Sequence, residues 1–376
     1  MKKIFLVILI MLLLSPFSVY AEDDTYFNIK IGKTYTEGSE INVTSKSNIY
    51  LVDADYNKII DLNSKTVTAV LKSGKIILKN KEQIYSNDLV QDGAMMLATD
   101  DYLKVNNEYR GYIYFKNLKG NLIVINHIKL EDYLKGVVPK ELSAEYPIEA
   151  LKAQAICSRG FALKNINKYK KLGYNLDDTT NSQVYRGKSC EKDKSNRAVD
   201  ETNGVYATFE GKVADTIFGA SSGGCTADIK DVWGGNGLSY LTVIEDPYSL
   251  KYTWNYSLDK SKMTDMLKNN SINIGELLSI NITDYDNSGR IKKVDLIGSN
   301  STVNITGNKF RNIFGNTKIK SALFTVSDLG SSFKFDGKGY GHGVGMSQYG
   351  AVEMAKEGKS YREIIHFYFP GVELNK

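Results

Sequence analysis

Cysteine, proline, histidine and tryptophan are all scarce in this 376-residue chain, which holds three, five, three and two of them. The three cysteines, Cys157, Cys190 and Cys225, are odd in number and scattered, so they spell no disulfide framework. Burial, rather than cross-linking, is left to hold the protein together. Neither a C-x-x-C nor an H-x-x-x-H spacing occurs, which removes the usual signature of structural zinc, and neither a metal nor a cofactor is expected. His127, His342 and His366 all lie far in sequence from Cys225, so its reading stays open between nucleophile, ligand and buried apolar residue. No lysine-rich tract points to a nucleic acid partner. Beyond the first 21 residues no apolar run approaches the roughly 20 residues that a bilayer-spanning helix needs. Internal repeats and low-complexity segments are also missing.

What is present begins with Lys2 and Lys3, an apolar run from Ile4 to Leu14, Pro16, and then Ser18-Val19-Tyr20-Ala21. That order of charged, apolar and small residues is the order of a secretory signal, with cleavage expected after Ala21 and an exported, cell-wall or membrane-associated location. Without Lys2 and Lys3 the net charge falls from +5 to +3, a mild positive charge compatible with an anionic wall.

Residues 25–126 read as strands and turns. IYLVDAD, TVTAVL, KIILKN, GYIYF and NLIVIN are short β-prone runs separated by polar turns, and a hairpin is expected across Lys119-Gly120. A helix is expected from Pro147 through Leu151, Ala155, Ala162 and Ile166, ending at Gly173. Further helices are expected near 261–268, near 347–357 and from Tyr361, with a turn at Asn287-Ser288-Gly289-Arg290. The fold class is therefore α+β: a β-rich core with a few packed helices and a smaller N-terminal β domain. The expected division is 1–21 signal, 22–108 N-terminal domain and 109–376 core.

Glu141 is the carboxylate in the most suggestive setting. The apolar Val137-Val138-Pro139 delivers it, in a loop, to the mouth of the helix at Pro147, where desolvation can raise its pKa toward that of a working proton donor. Glu145 and Glu149 follow at intervals of four, but Pro147 disfavours one helix carrying all three. Glu149 suits the first turn after Pro147, where a carboxylate meets the helix dipole favourably.

Three loops carry the remaining candidates. GYGHGVGMSQYGA, 339–351, lacks the βαβ setting of a dinucleotide site and reads instead as backbone that approaches another strand or an extended ligand closely. His342 lies at its centre, Ser347 is placed to cap the next helix, and Gln348 follows. SSGGCT, 221–226, adds the hydroxyls of Ser221 and Ser222, and NSQVYRG, 181–187, pairs Gln183 with Tyr185 as carbohydrate sites do.

NHIKLEDYLKGVVPKE, PIEALKAQAICSRGFAL, SQVYRG, SSGGCT, VWGG, SGR (288–290), TGNKFRNIFG and GYGHGVGMSQYGA stand in one order from Tyr109 to the C-terminus. In that order they resemble the SpoIID/LytB family, named for stage II sporulation protein D and an amidase enhancer. The resemblance implies action on peptidoglycan. It implies a lytic transglycosylase that cuts peptide-stripped glycan strands, with Glu141, the glutamate of the VVPxE motif, as catalytic acid. It also implies Gln183, Tyr185, Ser221, Ser222, His342 and Gln348 along a cleft, and an amidase or membrane proteins of the engulfment machinery as partners. Amidase enhancers in the same family raise a second possibility, a wall-binding adaptor without catalysis, and a true hydrolase is a third. Gly219 stands where the family often carries a histidine, which removes any role of that side chain here.

Overall fold

The computed structural model of this protein describes residues 25–81, 83–85 and 95–376. The expected export signal, 1–21, lies outside the described residues. Among the described residues no helix is long and apolar enough to cross a membrane.

The N-terminal half builds one large sheet. Its long strands are β1 (Tyr26–Thr36), β2 (Glu40–Val52) and β3 (Lys58–Lys72), followed by β4 (Lys75–Lys79) and β5 (Ile84–Tyr85). Next come β6 (Met96–Thr99), β7 (Leu103–Lys104), β8 (Glu108–Tyr109), β9 (Tyr112–Leu118) and β10 (Asn121–Lys129). With β11 (Leu176–Asp177) the path runs β11-β1-β10-β9-β6-β2-β3-β4-β5, so strands from both sides of residue 108 share one sheet. The expected hairpin is present: β9 and β10 pair antiparallel, and Lys119 and Gly120 take φ of 52° and 79° at the turn. Leu122 to Ile125 of β10 are buried on both faces, which explains an apolar run without alternation.

Directly after β10 the chain enters α1 (Leu130–Glu141), which contains Pro139. This corrects the loop expected around Glu141. Tyr133, Leu134, Val137 and Val138 are completely buried on the sheet, and that burial outweighs the backbone hydrogen bond that Pro139 cannot donate. The helix ends two residues later, and Leu142 closes it by donating to the Val138 carbonyl.

A second helix, α2 (Ile148–Lys164), follows with Pro147 at its N-cap. It ends at Lys164, before the expected Gly173, because Asn165 leaves helical geometry and turns its side-chain amide onto the Phe161 carbonyl. Gly173 instead closes a short 3-10 turn at φ 82°. The helix is buried all round, as its alanines allow. Leu151 and Ala155 face the sheet, while Ala153, Ile156 and Cys157 meet Val344, Met346, Ile364 and Phe369 from the C-terminal region. Arg159, fully buried, fixes α2 to α1 through a two-pronged contact to Glu131 at 2.7 and 2.6 Å and a bond to the Val205 carbonyl. Removing one partner of such a pair would cost about 3–5 kcal/mol.

The rest of the chain adds α3 (Asp193–Glu201), β12 (Tyr206–Phe209), β13 (Lys212–Val213), β14 (Phe218–Gly219) and α4 (Ile229–Trp233). A third core then forms from two three-stranded antiparallel sheets. One contains β15 (Thr253–Asp259), β19 (Phe324–Asp328) and β20 (Ser332–Lys338); the other contains β16 (Leu277–Tyr285), β17 (Ile291–Gly298) and β18 (Thr302–Thr306). Helices α5 (Lys260–Asn269) and α6 (Gly307–Phe314) complete it. The C-terminus supplies β21 (Met346–Ser347), α7 (Gln348–Lys356), α8 (Tyr361–Tyr368) and β22 (Glu373–Asn375). The architecture is α+β.

The glycine-rich loop makes its close approach to another backbone. β21 pairs parallel with β14, and Ser221 bridges Tyr340. A Cβ at Gly345 would stand 2.1 Å from the Ile217 carbonyl oxygen, so no larger residue fits.

Candidate functional site

Glu141 ends α1 at a pocket of about 430 Å³, walled by Phe161, Gln183, Val184, Phe218, Trp233 and His342. Its carboxylate accepts one backbone hydrogen bond, from the Val184 N–H at 3.2 Å. Burial raises the Glu141 pKa above the ordinary carboxyl value, and the Val184 bond opposes that rise only in part. Among the described residues lining the pocket, Glu141 is the only acid. Its sequence neighbour Glu149 is engaged elsewhere, bonded to Lys152 at 2.7 Å and to the Tyr361 N–H at 2.8 Å.

A chain of amides holds this helix end from behind. Gln348 donates to the Glu141 carbonyl and to the Gln154 side chain, both at 3.0 Å, and Gln154 donates to Ser158 at 3.1 Å. Gln183 donates to the Ser158 carbonyl at 3.2 Å and accepts from Tyr133 at 3.2 Å. Each amide is buried and partnered, so the network fixes geometry more than it offers groups to a ligand.

His342 lines the same pocket. Its Nδ1 accepts from the Val344 N–H at 3.0 Å, which leaves the ring proton on Nε2. Burial, aided by the Arg290 and Arg311 charges, pulls its pKa down to about 4, so the ring is neutral at neutral pH. Trp233 packs on it with ring centroids 4.9 Å apart and remains 54% exposed. A Cβ at Gly219 would lie 3.4 Å from the imidazole Cε1, so glycine keeps the space beside His342 open. Among the described residues no three His, Cys, Asp or Glu side chains are grouped to hold a metal.

Of the residues singled out from sequence, Glu141, Gln183 and His342 come together at one pocket. The others stand behind it. Tyr185 is 1% exposed, and its hydroxyl bonds Asn126 while its ring packs under Gly136. Ser222 is tied to Asp246 at 2.6 Å, and the Ser221 hydroxyl accepts from the Gly223 N–H inside its own loop. Ser347 caps α7 by accepting from the Gly350 N–H. Trp233, Phe218 and Lys168 also line the pocket, beyond the residues expected from sequence. For the first, the signal in the sequence is a tryptophan beside two glycines, one of only two in the chain.

Residues 118–209 match the stage II sporulation protein family, and residues 246–345 match a domain of unknown function, DUF8618. The chain is 32% identical to stage II sporulation protein D of Bacillus amyloliquefaciens, over 67% of this chain and 76% of that protein. It belongs to the stage II sporulation protein D family. An uncharacterized protein of Brachyspira hyodysenteriae is 34% identical over 83% of this chain and 84% of its own length. The amidase enhancer of Bacillus subtilis is 28% identical across 95% of this chain, which spans 55% of that longer protein. In this family member the VVPKE glutamate, Glu141, is the one at the pocket.

Proposed function

We propose that the protein is an extracytoplasmic, sporulation-related cell-wall enzyme, a lytic transglycosylase acting on peptide-stripped glycan. The observation that carries this reading is a lone carboxyl, its pKa raised by burial, in a pocket whose described lining holds no other acid. Glycoside hydrolysis ordinarily uses two carboxyl groups, one to protonate the leaving oxygen and one to attack or to activate water. A single group suffices when the sugar supplies its own nucleophile. Protonated Glu141 donates to the glycosidic oxygen as the C1–O bond breaks. The C6 hydroxyl of the same muramoyl sugar attacks C1, Glu141 takes back the hydroxyl proton, and a 1,6-anhydro ring closes. The acid is regenerated and water is not consumed.

The other groups fit supporting tasks. Trp233 offers a ring for the apolar face of a sugar, and His342, neutral and bonded to the Phe218 and Val344 backbone, supports that ring without adding a charge. The expected partners are glycan strands, with a wall amidase and membrane proteins of the engulfment machinery as further candidates.

One observation favours a second reading. The relative named amidase enhancer aligns with 95% of this chain, so an amidase-stimulating adaptor is consistent with the same scaffold. Mass spectrometry of peptide-free glycan after incubation separates the readings. Anhydro ends that vanish in Glu141→Gln support the transglycosylase; reducing ends indicate a hydrolase. Binding without products, with amidase stimulation intact in Glu141→Gln, indicates the adaptor.

A further inference from the structure

A second surface begins one residue beyond Gln348 and takes no part in the chemistry above. Tyr349 donates its N–H to the Ala220 carbonyl at 3.0 Å, and its ring is 40% exposed. That ring lies 5.0 Å from Tyr252, which in turn stacks on Tyr340 at 6.3 Å. The Lys320 ammonium stands 5.3 Å from the Tyr252 ring centroid and 5.8 Å from that of Tyr340. It also reaches the Tyr252 hydroxyl at 3.5 Å. Among the described residues no carboxylate lies within ion-pair distance of Lys320; Glu353, close to Tyr252 and Tyr349, is paired with Lys356. Next to Tyr252 and Tyr349 a cavity of about 210 Å³ opens, lined also by Tyr248, Ser249, Lys251 and Glu353, with Lys320 outside it.

We propose that this tyrosine–lysine patch is a second glycan subsite, which takes an acidic sugar with its carboxylate on Lys320 and its apolar face on the tyrosines. The proposal rests on the reading of the Glu141 pocket as a glycan site. Three observations carry it. A half-buried ammonium held by phenol rings lacks a counter-charge, and an incoming carboxylate supplies one where water is partly excluded. Exposed Tyr349 and half-buried Tyr252 and Tyr340 offer both flat apolar area and hydroxyls, the two surfaces that a pyranose presents. The patch is also tied to the pocket through the backbone. Phe218 lines the pocket, Gly219 and Ala220 follow it without bulky side chains, and Ala220 is bonded to Tyr349. An extended glycan reaching from Glu141 along this strip meets the tyrosines next.

The test uses the full chain carrying Glu141→Gln, so that ligands are bound and not cut. Calorimetry would compare peptide-free, muramic-acid-containing glycan oligomers with neutral chitin oligomers of the same length. Lys320→Gln is expected to weaken binding of the acidic glycan about tenfold while leaving the neutral oligomer unchanged, and Lys320→Arg is expected to restore it. Tyr252→Ala is expected to weaken both ligands, and added salt to erase the preference for the acidic one. Equal affinities of Lys320→Gln and its parent for the acidic glycan would overturn the subsite, as would equal losses for both ligands. The two proposals fail separately. Lys320-dependent binding without anhydro products from the wild type removes the reaction and keeps the subsite; anhydro products with Lys320-independent binding does the reverse.

Discussion

Gln348, the first residue of α7, donates its side-chain amide to the main-chain carbonyl of Glu141 over 3.0 Å and 207 positions of sequence. The C-terminal glycine-rich segment thereby holds the end of the helix that presents the candidate acid. Replacing Gln348 with leucine leaves the Glu141 carbonyl and the Gln154 amide oxygen without their donor. The expected cost is about 1–3 kcal/mol in urea unfolding. Turnover of denuded glycan should fall more through kcat than through KM, since the pocket wall survives and the carboxyl position does not.

Glu141→Gln keeps an acceptor for the Val184 N–H and removes the transferable proton. Glycan cleavage should fall roughly 10²–10⁴-fold, with circular dichroism and melting temperature close to wild type. Unchanged cleavage by this variant would remove Glu141 from the chemistry.

The raised Glu141 pKa gives two pH dependences with the same sign. The folded protein holds this proton more tightly than the unfolded chain does, so the associated stability is full below the ordinary carboxyl pKa and is lost as pH rises through the raised value. Activity that needs the protonated donor should fall over the same window. A pH profile of kcat/KM should place that alkaline limb above the ordinary carboxyl range. Melting curves of wild type and Glu141→Gln should diverge toward higher pH, with the wild type losing stability relative to the variant.

His127 and His342 act in the opposite direction. Burial holds both near a pKa of about 4, against 6.5 when free, so the unfolded chain takes up their protons first. The stability present above the ordinary histidine pKa is lost as pH falls from about 6.5 toward about 4. Thermal scans at successive pH values should show this decline, and a His127→Gln, His342→Gln double variant should flatten it.

Trp233 is exposed and Trp254 is buried, so the two tryptophans report on different places. Glycan binding should quench the Trp233 emission and leave that of Trp254 unchanged. Trp233→Ala should weaken glycan binding about tenfold, the scale of one lost sugar-stacking contact, with little effect on melting temperature. Loss of fold in this variant would instead mark Trp233 as structural.

Much of the fold was legible in local patterns. The turn at Lys119-Gly120, the apolar strands around it, the helix starting at Pro147 and the capping role of Ser347 all depend on residues a few positions apart. The helix carrying Glu141 was not legible, because Pro139 is a local signal against it and the burial that overrides Pro139 comes from strands far away in sequence. Tyr185, Ser221 and Ser222 carry the groups of a carbohydrate site, yet each is turned inward to partners no spacing rule names.

By itself, the sequence determined the family and the α+β class and made Glu141 a candidate, because motif order, periodicity and composition are properties of the chain alone. Only the tertiary structure decided that Glu141 sits at a helix end against Val184, with no second acid in the described pocket lining and with His342 and Trp233 lining the same pocket. Those relations join residues 92 to 201 positions away from Glu141 in the case of Trp233 and His342. Burial and pairing over such distances follow from how the cores pack, and so does the pKa of the carboxyl they surround.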